Sequence, residues 1–111
     1  MKAKTPHWPL ERLKALISAG EIHIHESVYK NFSTRGEARR SVIEVCMSIT
    51  TREFAETLDM TWDKADVYGV QFLGGGWYLK VAIDEVPPEA MCISFHPLKY
   101  PLRTNRGEVK P

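Results

Sequence analysis

This 111-residue chain has only two cysteines, Cys46 and Cys92, too few for a disulfide framework. Both fall in segments read below as helix and strand, so packed thiols are expected rather than a crosslink. Long apolar runs are missing too: none approaches the ~18 residues that a membrane helix requires, so no membrane span is expected. The opening stretch "MKAKTPHWPLERLK" is basic but has no apolar h-region and no small-residue cleavage site. No export signal is read there, and a cytoplasmic location is expected. There is no CxxC and no HExxH. His23 and His25 of "HIH" share one side of a short strand but lack a third ligand at a recognisable spacing, so they read as a surface or structural pair, and no metal or cofactor is expected. The glycines Gly74–Gly76 lack both the Lys-Ser/Thr of a phosphate loop and the helix that follows a dinucleotide fingerprint, which leaves a hairpin turn. Ser94 and His96 lack an elbow motif and a third orienting group, so they do not form a nucleophile pair.

What is present suits a single domain with one modest core: 43% of the residues are hydrophobic and 26% charged. The net charge of +1 conceals an uneven distribution. Lys2, Lys4, Arg12 and Lys14 oppose only Glu11 near the start, and Lys99, Arg103, Arg106 and Lys110 oppose only Glu108 after Pro97. Five acids face only Lys64 between Glu53 and Asp66. Two basic ends offer phosphate contacts that the near-neutral total would not suggest, although solvated termini have the same composition.

The first half reads as mainly helical. Pro9, the helical spacing of Leu10, Leu13, Leu16 and Ile17, and a stop at Gly20 predict a helix from about Trp8 to Ala19. "EIHIH" alternates as a short strand, after which Ser27 is placed to cap a short helix that ends near "STRG". From Glu37 to Ser48, Ala38, Val42, Val45, Cys46 and Ile49 form one apolar stripe. "TTRE" reads as a capping box, Thr50 with Glu53, opening a further helix through Phe54 and Leu58. His7, just before the first helix, suits capping or docking. Trp8, Trp62 and Trp77 suit core or interface anchors.

The second half reads as an antiparallel meander of "DVYGVQF", "WYLKVAID" and "MCISFH". Pairing Phe72 with Trp77 sets Val70 beside Leu79, and Gln71 beside Tyr78 on the opposite face. Pairing Val81 with Ile93 sets Leu79 against Phe95 and Tyr78 against His96, and turns Met91 and Ile93 inward. The outer face then collects Gln71, Tyr78, Lys80, Ser94 and His96. A phenol, an amine and an imidazole on one platform suffice for cleavage of RNA by its own 2′-hydroxyl: imidazole exchanges protons near neutral pH, and lysine stabilises charge on a phosphorane-like transition state. The same pattern also describes a merely solvated sheet face. After Pro97 the tail has many prolines and few apolar residues, and an extended arm is expected.

The segments "KTPHWPLERLKALISAG", "SITTREF", "DVY", "WYLK" and "ISFH" occur in an order and at spacings that resemble the MqsR family of bacterial type II toxins, over about residues 3 to 96. The resemblance implies an α+β, RelE-like fold with N-terminal helices on a small antiparallel sheet formed mainly by the C-terminal half. It places one toxin domain at 1–96 and leaves 97–111 as a basic arm. It also implies a metal-independent mRNA endoribonuclease, without cofactor, silenced by a cognate antitoxin protein. Tyr78 matches the family's active-site tyrosine and Lys80 its nearby strand lysine. Three positions depart from the pattern: Glu56 and His96 stand where the family usually has lysine, and Ala65 where it usually has glutamine. On this reading Tyr78, Lys80 and His96 are catalytic, with His96 as general acid for the leaving oxygen. Lys64, Gln71, Lys99 and Arg103 supply contacts to RNA. The alternative is a toxin relative without cleavage activity that acts as a protein-interaction module.

Overall fold

Apolar side chains lie on only one face of each long helix, and those faces cover one side of a mixed sheet. The computed structural model describes residues 3–111. Helix α1 spans Leu10–Ser18, buries Leu13 and Ile17, and closes through Gly20, whose N–H donates to the Ile17 carbonyl at 2.9 Å. Strand β1, Ile22–Ile24, leads into the one-turn helix α2, Glu26–Tyr29. Its cap is His25 rather than Ser27: the His25 ring accepts from the Ser27 N–H at 3.1 Å. Helix α3, Arg35–Ser48, is capped by Thr34 and buries Ala38, Val42, Val45 and Cys46, the stripe read from the sequence. Lys14 reaches from α1 to the Ile49 carbonyl at 2.6 Å, where a cation offsets the partial negative charge of the α3 C-terminus.

The capping box at Thr50 and Glu53 forms, yet it opens only a single 3-10 turn, Thr51–Glu53. Phe54–Asp59 is strand β2, not the helix expected from Phe54 and Leu58. Tertiary pairing overrides the local signal, because β3, Lys64–Phe72, would otherwise present an unpaired edge. Phe54 turns inward and meets Tyr68 edge-on at 5.6 Å, while Ala55 is the extra residue of a bulge. Strands β4, Gly75–Glu85, and β5, Pro88–Pro97, complete a five-stranded sheet ordered β1-β5-β4-β3-β2. Every pairing is antiparallel except β1 with β5. The fold is therefore α+β, three helices on a five-stranded sheet. Phe32, Phe72, Trp77 and Phe95 form an aromatic cluster on the helix side, and both cysteines are free and buried in the core. Among the described residues no helix is long and apolar enough to cross a membrane.

Two register expectations are corrected. Val70, not Phe72, stands opposite Trp77, so Gly69 rather than Gln71 faces Tyr78. The turn is the two residues Leu73 and Gly74, with φ of 49° and 81°, and Gly75 and Gly76 already belong to β4. Such a turn matches the right-handed twist of the flanking strands. Being a shift of two, this keeps every residue on its expected face. On the other side Val81 pairs with Cys92, not Ile93, because a bulge absorbs Ile93. The bulge carries Cys92 and Ala90 into the core and leaves Met91 and Ile93 half-buried.

The tail is not an extended arm. Strands β6, Leu102–Thr104, and β7, Gly107–Val109, pair as a hairpin that folds back over the outer sheet face. Gly69 makes its seat: a Cβ there would lie 3.0 Å from Thr104 Cγ2 and 3.1 Å from Leu102 Cδ2. The hairpin tip is tied down where the Asn105 and Arg106 N–H groups donate to the Phe54 and Arg52 carbonyls, both at 2.9 Å. Borrowed backbone partners and a bare patch of sheet thus order a segment whose own apolar content is small.

Candidate active site

Tyr78 and His96 are direct cross-strand partners in β4 and β5. Their rings stack at 5.0 Å with an interplanar angle of 9°. The Nδ1 of His96 lies 2.9 Å from the Pro97 carbonyl. A carbonyl only accepts, so Nδ1 carries the proton, and Nε2 is the nitrogen left to exchange one with a ligand. Tyr78 is half-buried. Burial, then the negative charge of Glu56, raises its phenol above the ordinary tyrosine value, so it stays protonated, a donor, throughout the neutral range.

Lys80 follows on the same face, one row along, opposite Ser94. Its ammonium has no ion pair among the described residues. Glu56 shares its row, two strands away through Val67. The expected trio of Tyr78, Lys80 and His96 therefore occupies neighbouring positions on one sheet face, with the Glu56 carboxylate close by.

The segment after β5 walls the site. The Leu98 N–H donates to the Gly76 carbonyl at 2.9 Å, which prolongs the β4–β5 ladder, and the chain then turns beside the stacked rings. Gly76 permits this crossing, since a Cβ there would lie 2.9 Å from Leu98 Cδ1 and would also run into the Lys110 carbonyl oxygen. The result is an open cleft of about 280 Å³ bounded by Tyr78, His96, Leu98, Lys99, Tyr100 and Leu102. Lys99 is thus brought to the site as expected. Tyr100, 78% exposed, was not singled out from the sequence, though an aromatic between Pro97 and Pro101 was the available signal.

The other expected RNA contacts are not gathered here. Lys64 begins β3, and its ammonium is held by Asp59 across β2. Gln71 stands opposite Gly76 and borders clefts with Arg106, away from the one that holds Tyr78 and His96. Arg103 faces Glu108 across the hairpin and lines a cleft with Lys4, Ala55 and Arg106. Lys64 shares the parity of Asp66 and Tyr68 and so lies on the other face of the sheet from Tyr78, while Arg103 belongs to the hairpin that folds over Gly69. Neither placement follows from a tail read as an extended arm.

Asp66 is a further residue whose role only the fold discloses. Its fully buried carboxylate accepts from the His7 N–H at 3.0 Å, the Trp8 N–H at 2.8 Å and the Thr57 hydroxyl at 2.6 Å. "TPHW" and "DVY", 58 and 59 positions apart at these bonds, are two halves of one clamp. Trp8 adds its indole N–H to the Lys64 carbonyl at 2.8 Å. His7 therefore docks the N-terminal segment, and Asp66 serves the fold.

At the far end of the same face, Trp62, Val86, Met91 and Ile93 line an apolar groove of about 280 Å³ with Asp63 and Asp84 at its rim. Trp62 is 69% exposed, unlike the buried Trp8 and Trp77. No protein-family model matches this chain, and a search of curated proteins finds no match.

Proposed function

We propose that this protein is a metal-independent endoribonuclease of the MqsR kind, with a RelE-like fold, a type II toxin that cuts mRNA in the cytoplasm and is silenced by a cognate antitoxin. The observation that carries the reading is the stacked Tyr78–His96 pair, with a free imidazole nitrogen beside a protonated phenol and two cationic side chains, Lys80 and Lys99, nearby. These are the groups that phosphodiester cleavage by an adjacent 2′-hydroxyl needs. The 2′-oxygen forms a bond to phosphorus, the bond from phosphorus to the 5′-oxygen breaks, and a 2′,3′-cyclic phosphate remains. Protonated His96 gives its Nε2 proton to the departing 5′-oxygen, and the 2′-hydroxyl proton passes to water. The Pro97 carbonyl, accepting from Nδ1, holds the ring in place and leaves Nε2 turned to the substrate. Tyr78 and Lys80 direct an O–H and an ammonium at the non-bridging oxygens, where negative charge grows. Because the MqsR pattern has lysine at the position of His96, this member uses an imidazole where its relatives use an amine.

Growth arrest on expression and cleavage of purified RNA test the assignment. Tyr78→Phe keeps the stacked ring and removes only the hydroxyl, and His96→Ala removes the proton donor. Both are expected to abolish toxicity and cleavage with the fold intact, and two fully toxic variants would refute the site. The apolar groove around Trp62 favours a second reading, an inactive toxin relative that binds a protein partner. Under it, RNA stays intact whatever its sequence.

A further inference from the structure

We infer that the cleft between the stacked pair and the Leu98–Leu102 segment is a slot for one nucleobase of single-stranded RNA, with Tyr100 as the side chain that stacks on it. The inference rests on the ribonuclease reading for its choice of ligand and adds to that reading a residue that positions substrate. Its grounds are the composition and place of the cleft. It is lined by the stacked Tyr78 and His96, by the aliphatic Leu98, Pro101 and Leu102, and by Lys99. A base is flat and apolar on its faces, and its phosphate is the group that a neighbouring ammonium attracts. Tyr100 is 78% exposed and makes no aromatic contact among the described residues, although it borders the cleft. A large ring held in water beside an opening lined by other rings is what base stacking on single strands uses, and it tolerates many sequences because every base offers a π-face. A base seated there lies beside His96, so the slot also places the adjoining phosphodiester near the proposed proton donor.

The alternative occupant, an aromatic side chain of a protein partner, gives a different result in the same experiment. Binding of a mixed-sequence 2′-O-methyl RNA, which lacks the attacking hydroxyl and is not cleaved, is measured by fluorescence anisotropy over a range of salt. The comparison oligomer has the same phosphates and no bases. Tyr100→Ala is expected to weaken binding of the base-bearing oligomer by roughly 5- to 150-fold, the span of one base–aromatic stack. Tyr100→Phe should bind as the parent does, and the abasic oligomer should bind parent and Tyr100→Ala alike. Lys99→Ala should instead flatten the salt dependence, by about 0.7 in the logarithmic slope for one phosphate contact on a single strand. Equal affinity of the parent and Tyr100→Ala for the base-bearing oligomer would overturn the slot and leave it to a protein ligand. Because no cleavage is measured, the slot stands or falls apart from the catalytic assignment: base-dependent binding through Tyr100 with no cleavage of ordinary RNA would retain the slot and remove the enzyme.

Discussion

At the scale of single residues, some buried polar side chains hold the fold and others on the outer sheet face form the candidate site. Asp66 belongs to the first group. Removing its carboxylate leaves two backbone N–H groups and the Thr57 hydroxyl without their partner, so Asp66→Ala is expected to lower unfolding stability by about 3 kcal/mol or more in urea denaturation. A change below 1 kcal/mol would contradict the clamp. Tyr68 gives the opposite expectation: its hydroxyl is buried without a hydrogen-bond partner among the described residues. Tyr68→Phe should therefore be neutral or mildly stabilising, and a loss above about 1 kcal/mol would show that the hydroxyl is satisfied after all. In the second group, His96→Ala should slow RNA cleavage by roughly 10²- to 10⁴-fold, the range for a lost general acid. The alternation of "WYLKVAID" and "ISFH" was enough to bring Tyr78 and His96 together. It did not disclose Glu56 or Tyr100 as their neighbours, because those contacts arise from β2 and from the chain after Pro97, segments whose conformation is decided by what they pack against.

At the scale of elements, strong local periodicity was legible and pairing partners were not. Helices α1 and α3 follow from their stripes and stops, and four strands, β1 and β3 to β5, from their alternation. β2 was hidden because Phe54 and Leu58 also fit a helical spacing and because a genuine capping box precedes them. The Ile93 bulge was hidden because nothing in "MCISFH" marks the extra residue. The C-terminal hairpin was hidden because its stability comes from Gly69, Gly76 and the carbonyls of the 3-10 turn rather than from its own composition. This last point is testable. Gly76→Ala places a methyl group against the Lys110 carbonyl and should cost about 1–3 kcal/mol while loosening the end of β7. Limited proteolysis should then cut the chain after Thr104 faster than in the parent, and unchanged protection would contradict the seat described for this segment.

At the scale of the whole molecule, protonation links the core to stability. Burial pushes the Cys46 thiol up to about 12 and raises Cys92, Tyr68 and Tyr78 as well, burial being the largest cause for each. The folded chain thus keeps protons that the unfolded chain gives up. The contribution is fully present below the ordinary thiol value of 9.0 and is lost progressively as pH climbs towards 12. Unfolding free energy measured at pH 7, 9 and 10.5 should be level over the first interval, as far as these four groups decide it, and fall over the second. A curve that stays level to pH 10.5 would contradict the buried placement of these groups. The same burial makes both thiols unreactive: alkylation at neutral pH should require unfolding.

The whole-molecule claim is that this face of the sheet cleaves RNA with protein groups alone. Its most direct test is incubation of the purified protein with mixed-sequence RNA in EDTA, beside His96→Ala at equal concentration, with the new ends identified chemically. The account predicts cleavage that survives chelation, leaves 2′,3′-cyclic phosphate ends and disappears in the variant. RNA that stays intact with the parent protein, or that is cut equally by both, would contradict it.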